Sequence, residues 1–139
     1  MRKVEQAMVE ALRWAHHDAE GPIFRGGNTV VTREHFGTLG TFDHHHRDVI
    51  TLHGNTIAVL DFGRVYISTA GWNTATTRSR INAILSHFAP DYGVNSVKGV
   101  CILSKMVPIP SREVRGMVPC SAMRIGEVGD TLRQVGLYD

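Results

Sequence analysis

Apolar residues near the start of the chain recur with the period of a helix. Val4, Met8, Leu12 and Ala15 form one stripe, with Ala7, Ala11 and Trp14 beside it. Arg2, Lys3, Glu5, Gln6, Glu10 and Arg13 fall on the wet side. This spacing predicts an amphipathic helix over residues 2–19, stopped by Gly21-Pro22. The period then shortens to two. Residues 28–33 (NTVVTR) read as a short strand. Residues 48–53 (DVITLH), 56–60 (TIAVL) and 64–69 (RVYIST) read as three more, separated by turns at Gly54-Asn55 and Asp61-Phe62-Gly63. Within these strands Ile50 and Leu52, Ile57 and Val59, and Val65 and Ile67 share a face.

The helical period returns after Gly71-Trp72-Asn73. A helix is expected from Thr74–Thr77 to Phe88, burying Ile81, Ile84, Leu85 and Phe88 and ended by Pro90. Residues 97–107 (VKGVCILSKMV) read as one long strand. Pro108, Pro110 and Pro119 punctuate an extended arm, followed by a short strand at 120–126 and a final turn at 131–136. The pattern predicts a single α+β domain over residues 1–139. An antiparallel meander is packed by an N-terminal and a central helix, with the sheet–helix unit at 48–88 and an extended strand and Pro-rich arm at 97–139. The segment 34–47 (EHFGTLGTFDHHHR) keeps no period and reads as a loop or a ragged strand edge, and long loops commonly carry function.

Composition narrows the class. With 139 residues and 42% hydrophobic content, the chain can bury about 70% of its unfolded surface, enough for its own core. A net charge of +2 is too mild to argue for nucleic acid by itself. Basic residues gather in the last third (Lys98, Lys105, Arg112, Arg115, Arg124, Arg133), partly offset by Glu113, Glu127 and Asp130, and read as a solvated surface. Cys101 and Cys120 do not make a disulfide framework and are expected free and reduced. Charged residues interrupt the N-terminus, so no signal peptide is expected. No run approaches the ~18 apolar residues of a membrane span. There is no Walker loop, GxSxG elbow or kinase signature.

Three groups of residues are candidate sites. Thr74, Thr76, Thr77, Arg78 and Arg80 stand at a helix start, where free N–H groups and a partial positive charge attract anions. Plain capping by threonine with solvated arginines explains the same residues. Trp72 could stack on a base or anchor a partner, or seal the sheet–helix junction as a core residue. His44 and His46 share a face of an extended backbone and, with His53 or His35, could hold a zinc ion. An exposed polar or pH-sensitive loop is the plainer reading of Asp43 and His44–His46.

Several of these residues also carry a resemblance. Gly27-Asn28-Thr29, Leu52-His53-Gly54-Asn55, Ile57-Ala58, Ala70-Gly71-Trp72, Thr74, Thr76-Thr77, Arg80 and Asn82-Ala83-Ile84 resemble a group of small proteins encoded by tailed bacteriophages, over roughly residues 26–86. The resemblance implies a phage origin, and small phage proteins of this type often serve host takeover or block host defence. The leading expectation is a non-enzymatic accessory protein without a cofactor. It would act in the host cytoplasm as an anti-CRISPR-like inhibitor, binding a host protein or protein–nucleic acid defence complex through loop 34–47, Trp72 and Arg78/Arg80. A nucleotide-signal sponge using the Thr/Arg helix start is an alternative, for which a homo-oligomer with the arm crossing between subunits would suit. A metal-dependent hydrolase or nuclease built on His44, His46 and His53 is another.

Overall fold

A computed structural model describes residues 1–38, 40–110, 113 and 115–136. Leu39 of the 34–47 segment, Arg112 of the basic tendency and the last three residues of the arm lie outside them. The elements are α1 (Lys3–Trp14), β1 (Gly21–Gly26), β2 (Thr29–Phe36), β3 (His45–Leu52), β4 (Asn55–Asp61), β5 (Arg64–Ile67), α2 (Ala75–Phe88), β6 (Tyr92–Val97), β7 (Val100–Pro108), β8 (Cys120–Glu127) and β9 (Arg133–Val135). They form an antiparallel six-stranded sheet of order β1-β2-β3-β4-β5-β9 and a three-stranded sheet of order β6-β7-β8. The α+β architecture with an N-terminal and a central helix is the expected one. Among the described residues no helix is long and apolar enough to cross a membrane.

The helix-covered face of the larger sheet is built in rows. Val31 pairs with Ile50, Ile50 with Ala58 and Ala58 with Ile67, giving an apolar row across four strands. The next row runs Arg33, Asp48, Leu60, Val65 and Val135. Beyond it, His35 pairs with His46. Met8, Val9 and Leu12 of α1 and Ile81, Ile84 and Leu85 of α2 close over the apolar row. Val94, Cys101 and Leu103 of the smaller sheet join the same core.

Several boundaries differ from the expectation. α1 ends at Trp14 instead of residue 19, because Ala15 turns extended and the N–H of Asp18 donates to His16 Nδ1 instead of a helical carbonyl. Gly21-Pro22 does more than stop a helix: it opens β1, which the proline at its first positions concealed. The 34–47 segment is mostly hairpin, since β2 runs to Phe36 and β3 starts at His45. The long strand at 97–107 is two strands. Lys98 (φ 51°) and Gly99 (φ 79°) are both left-handed and fold β6 back onto β7. Ile57 and Val59 do not both reach the core. A bulge in β4 between the Thr51–Thr56 and Ile50–Ala58 pairs makes Ile57 the extra residue, buried beside Ala58. Val59 pairs with Val49 and Tyr66 on the other face.

Candidate functional site

After Thr69 the chain leaves the sheet sharply. The Thr69 N–H and both the Thr69 and Ser68 hydroxyls donate to Gly129 O, at 2.8, 3.0 and 3.2 Å. Ala70 (φ 53°) and Gly71 (φ 85°) then take left-handed conformations, and the N–H of Trp72 donates to Thr69 O at 2.9 Å. This turn throws Trp72 outward, where it is 63% exposed. The sealing role in the core is therefore not the one it plays. Asn73 is pinned below it: its Nδ2 donates to Gly99 O at 2.9 Å, and Arg78 Nη1 donates to its Oδ1 at 2.6 Å. Thr74 caps α2, its Oγ1 accepting from the Thr77 N–H at 3.1 Å, while the two hydroxyls share a bond of 2.9 Å.

Beside Trp72 lies a pocket of about 450 Å³. Leu52 and Ile57 give it apolar walls, Thr69, Thr74, Thr76 and Thr77 give it hydroxyls, and His53 and Asn55 of the β3–β4 turn complete it. The bulge that turns Ile57 inward thus shapes this pocket. The volume is in the range of small-ligand sites. Threonine, asparagine and histidine around an apolar wall can orient a ligand or a partner side chain. Its lining has no nucleophile activated by a neighbouring base and no pair of carboxylates.

The arginines expected with the threonines lie elsewhere. Arg80 is buried, its Nη1 donating to Glu5 Oε2 at 2.6 Å and its Nε to Thr29 Oγ1 at 3.0 Å. Arg78 serves Asn73. Neither lines the pocket. Glu5, expected on the wet side of α1, is 2% exposed. Burial pushes its carboxyl up, but the Ser79 hydroxyl, the Arg80 guanidinium and the Arg2 N–H outweigh that and hold it below the usual 4.5.

The histidines form a separate cluster at the far end of β2 and β3. His35 Nε2 donates to Ala19 O at 2.7 Å, so in the neutral ring Nδ1 is an acceptor, and it takes the His44 Nε2–H at 2.9 Å. The two rings are coplanar to 1° with centroids 5.1 Å apart, so they meet head-on through these nitrogens. His46 lies 6.0 Å from His35 and 4.0 Å from Asp48, whose carboxylate Arg33 holds at 2.7 and 3.0 Å. Burial and the Arg33 charge push His46 below the usual 6.5, which Asp48 only partly offsets. The proposed ligand set His44, His46 and His53 does not converge: His53 sits at the opposite end of β3, roughly 25 Å away at about 3.4 Å per residue. His35 is the histidine that joins His44 and His46. Among the described residues, donor atoms within 4.8 Å of one another occur at His16, His17 and Asp18, an exposed group after α1 hidden by reading the helix to residue 19. Three consecutive surface residues make an open half-site, unlike the closed four-ligand shell of a structural metal.

Among known proteins, the family model described as Kyanoviridae Gp96 protein matches residues 1–115. No curated protein and no solved structure matches the chain. The matched span takes in both helices, strands β1 to β7, the Trp72 pocket and the histidine cluster. The chain therefore belongs to the Kyanoviridae Gp96 family of phage proteins.

Proposed function

We propose that this phage protein works by binding, and that its working surface is the pocket beside Trp72. The observation that carries this reading is an indole 63% exposed at the mouth of an apolar-walled pocket, on a loop braced by Asn73, Arg78 and Gly129. A rigid, exposed tryptophan is the residue type that dominates binding hot spots, because it brings a large apolar area at low entropic cost. In this reading the partner is a host defence protein or protein–nucleic acid complex, met in the host cytoplasm. The phage protein occludes one of its surfaces, as an anti-CRISPR-like inhibitor would. The phage origin supports that target class, and the absence of an acid–base pair in the pocket lining supports occlusion over turnover.

A nucleotide-signal sponge is the second reading, favoured by Trp72 as a stacking surface beside Thr74, Thr76 and Thr77. It lacks the arginines, which are spent on Glu5 and Asn73, so its ligand would be held by the base and not by phosphate. A metal-dependent hydrolase is the third reading and has less support: His53 is far from His44 and His46, and the His35 that joins them bonds through both ring nitrogens, to Ala19 O and His44.

The test is purification of the protein from infected or defence-bearing host cells, with proteins and nucleotides both identified by mass spectrometry, for wild type and Trp72→Ala. A stoichiometric host protein present with wild type and missing with Trp72→Ala supports occlusion. A retained compound absorbing near 260 nm, lost in the variant, supports the sponge instead. Partners that are indifferent to Trp72 sink both.

A further inference from the structure

A bare sheet edge is a row of unpaired N–H and C=O groups that recruits other chains, so natural sheets blunt their edges. Two sheets give four edges here, and three are managed. β1 carries Pro22 and a bulge between Pro22 and Phe24, and α1 packs on it. β9 is only three residues long. β6 is met by Asn82 of α2, whose Nδ2 donates to Val94 O at 2.9 Å and whose Oδ1 accepts from Val94 N at 2.8 Å, a side-chain imitation of a strand. The fourth edge, β8, runs eight residues, and a bulge at Ile125 leaves Cys120–Arg124 as its regular stretch. Among the described residues no strand pairs with its outer side.

The β7–β8 ribbon also outruns its own sheet. β6 stops at the Tyr92–Lys105 pair, while β7 and β8 continue through Val107–Ser121 to Pro108–Cys120. On the extension Met106, Pro108 and Ala122 share one face and Val107 and Ser121 the other, with Met123 one pair further in, opposite Lys105. Met106, Met117, Val118 and Met123 are all exposed. A two-stranded ribbon is not self-sufficient in water. The chain as a whole also exposes more surface than a compact monomer of its mass. The chain exposes 8514 Å², whereas a compact monomer of 15.4 kDa is expected to expose roughly 7,200 Å². The excess, on the order of 1,300 Å², is more than the ~800 Å² that each partner gives up in a standard interface.

We propose that a second copy of this chain pairs antiparallel along β8, about a two-fold axis near Ala122, joining the two small sheets into one. A two-fold presents the same edge to itself, so β8 needs no other surface to complement it. In this register Cys120 faces Arg124 of the second copy and Ser121 faces its Met123, so no like charges oppose one another. The Met123 side chains of the two copies lie diagonally across the axis on one face, where their flexible thioethers fill an irregular seam.

The mass of the purified full chain at micromolar concentration, by light scattering, is expected at twice 15.4 kDa. Ala122→Cys in a Cys120→Ser background brings two Cα atoms to about 4.5–5.5 Å across the axis, within disulfide range, and mild oxidation should give a covalent dimer. Met106→Lys with Met123→Lys changes exposed positions only, so the circular dichroism should be kept while the mass halves. A wild type that stays monomeric overturns the proposal, including one whose β8 edge is filled by a strand of a host protein. A dimer that fails to cross-link through position 122 overturns it too, whatever its response to the lysines.

Discussion

Glu5 of the first helix and Arg80 of the second, 75 residues apart in the chain, meet in the core at 2.6 Å. Arg80 also reaches Thr29 on β2, and Ser79 donates to the same Glu5 oxygen at 2.6 Å. Two helices and a strand are thereby locked in register beneath α2, whose first turn carries the pocket. Breaking a buried pair leaves an uncompensated charge, which costs about 3–5 kcal/mol. Glu5→Ala is expected to destabilise the protein by that amount in urea titration. Glu5→Leu with Arg80→Met should lose much less, because no charge stays buried. A mild Glu5→Ala would show that the pair is solvated.

The same carboxylate predicts an acid limb. Its folded value lies below 4.5, so its contribution is present above pH 4.5 and is lost as pH falls through the folded value. His46 acts earlier. Its folded value lies below 6.5, so the unfolded chain takes up a proton first, and stability starts to fall as pH drops below 6.5. Melting temperature against pH should therefore decline in two stages. His46→Gln should flatten the first and Glu5→Gln the second. A curve unchanged by either substitution contradicts this assignment.

Trp72 and Thr74 should separate binding from folding. Thr74→Ala removes the cap bond to the Thr77 N–H and is expected to cost about 1 kcal/mol. Trp72→Ala removes an exposed ring and should shift stability by no more than about 0.5 kcal/mol. Paired denaturation curves check both values. A large loss in Trp72→Ala would mean that the ring supports the fold instead.

Asn82 holds the β6 edge shut. Asn82→Ala leaves the buried Val94 N–H and C=O without their side-chain partner and should cost about 1–3 kcal/mol. It also bares an edge strand, so aggregation on heating should rise while the helix signal in circular dichroism is kept.

Much of this architecture is legible in the sequence. The stripe Ile81, Ile84, Leu85 and the threonines at 74–77 mark α2, which starts inside that range and ends at Phe88, because a capping side chain and an apolar period are both local properties. The turns before Asn55 and after Asp61 are equally local. What stays hidden depends on pairing. The bulge at Ile57 is a property of two strands, so alternation alone places Val59 on the wrong face. Lys98-Gly99 carries a turn signal, yet the apolar residues on both sides make 97–107 look continuous. Charge misleads most. Glu5, Arg33, Asp48 and Arg80 look like surface residues one at a time and become buried only as pairs. The site is legible in part. Trp72, Thr74, Thr76, Thr77 and His53 come together at the pocket, while Arg78 and Arg80 brace the scaffold and His44 and His46 lie at the other end of β3.

The most direct measurement is plaque formation by a defence-sensitive phage on a defence-bearing host that expresses this protein, wild type against Trp72→Ala at matched protein levels. Binding through the Trp72 pocket predicts that wild type restores plaques and Trp72→Ala does not. Equal restoration by both would contradict the pocket as the working surface, and no restoration by either across defended hosts would contradict the defence target.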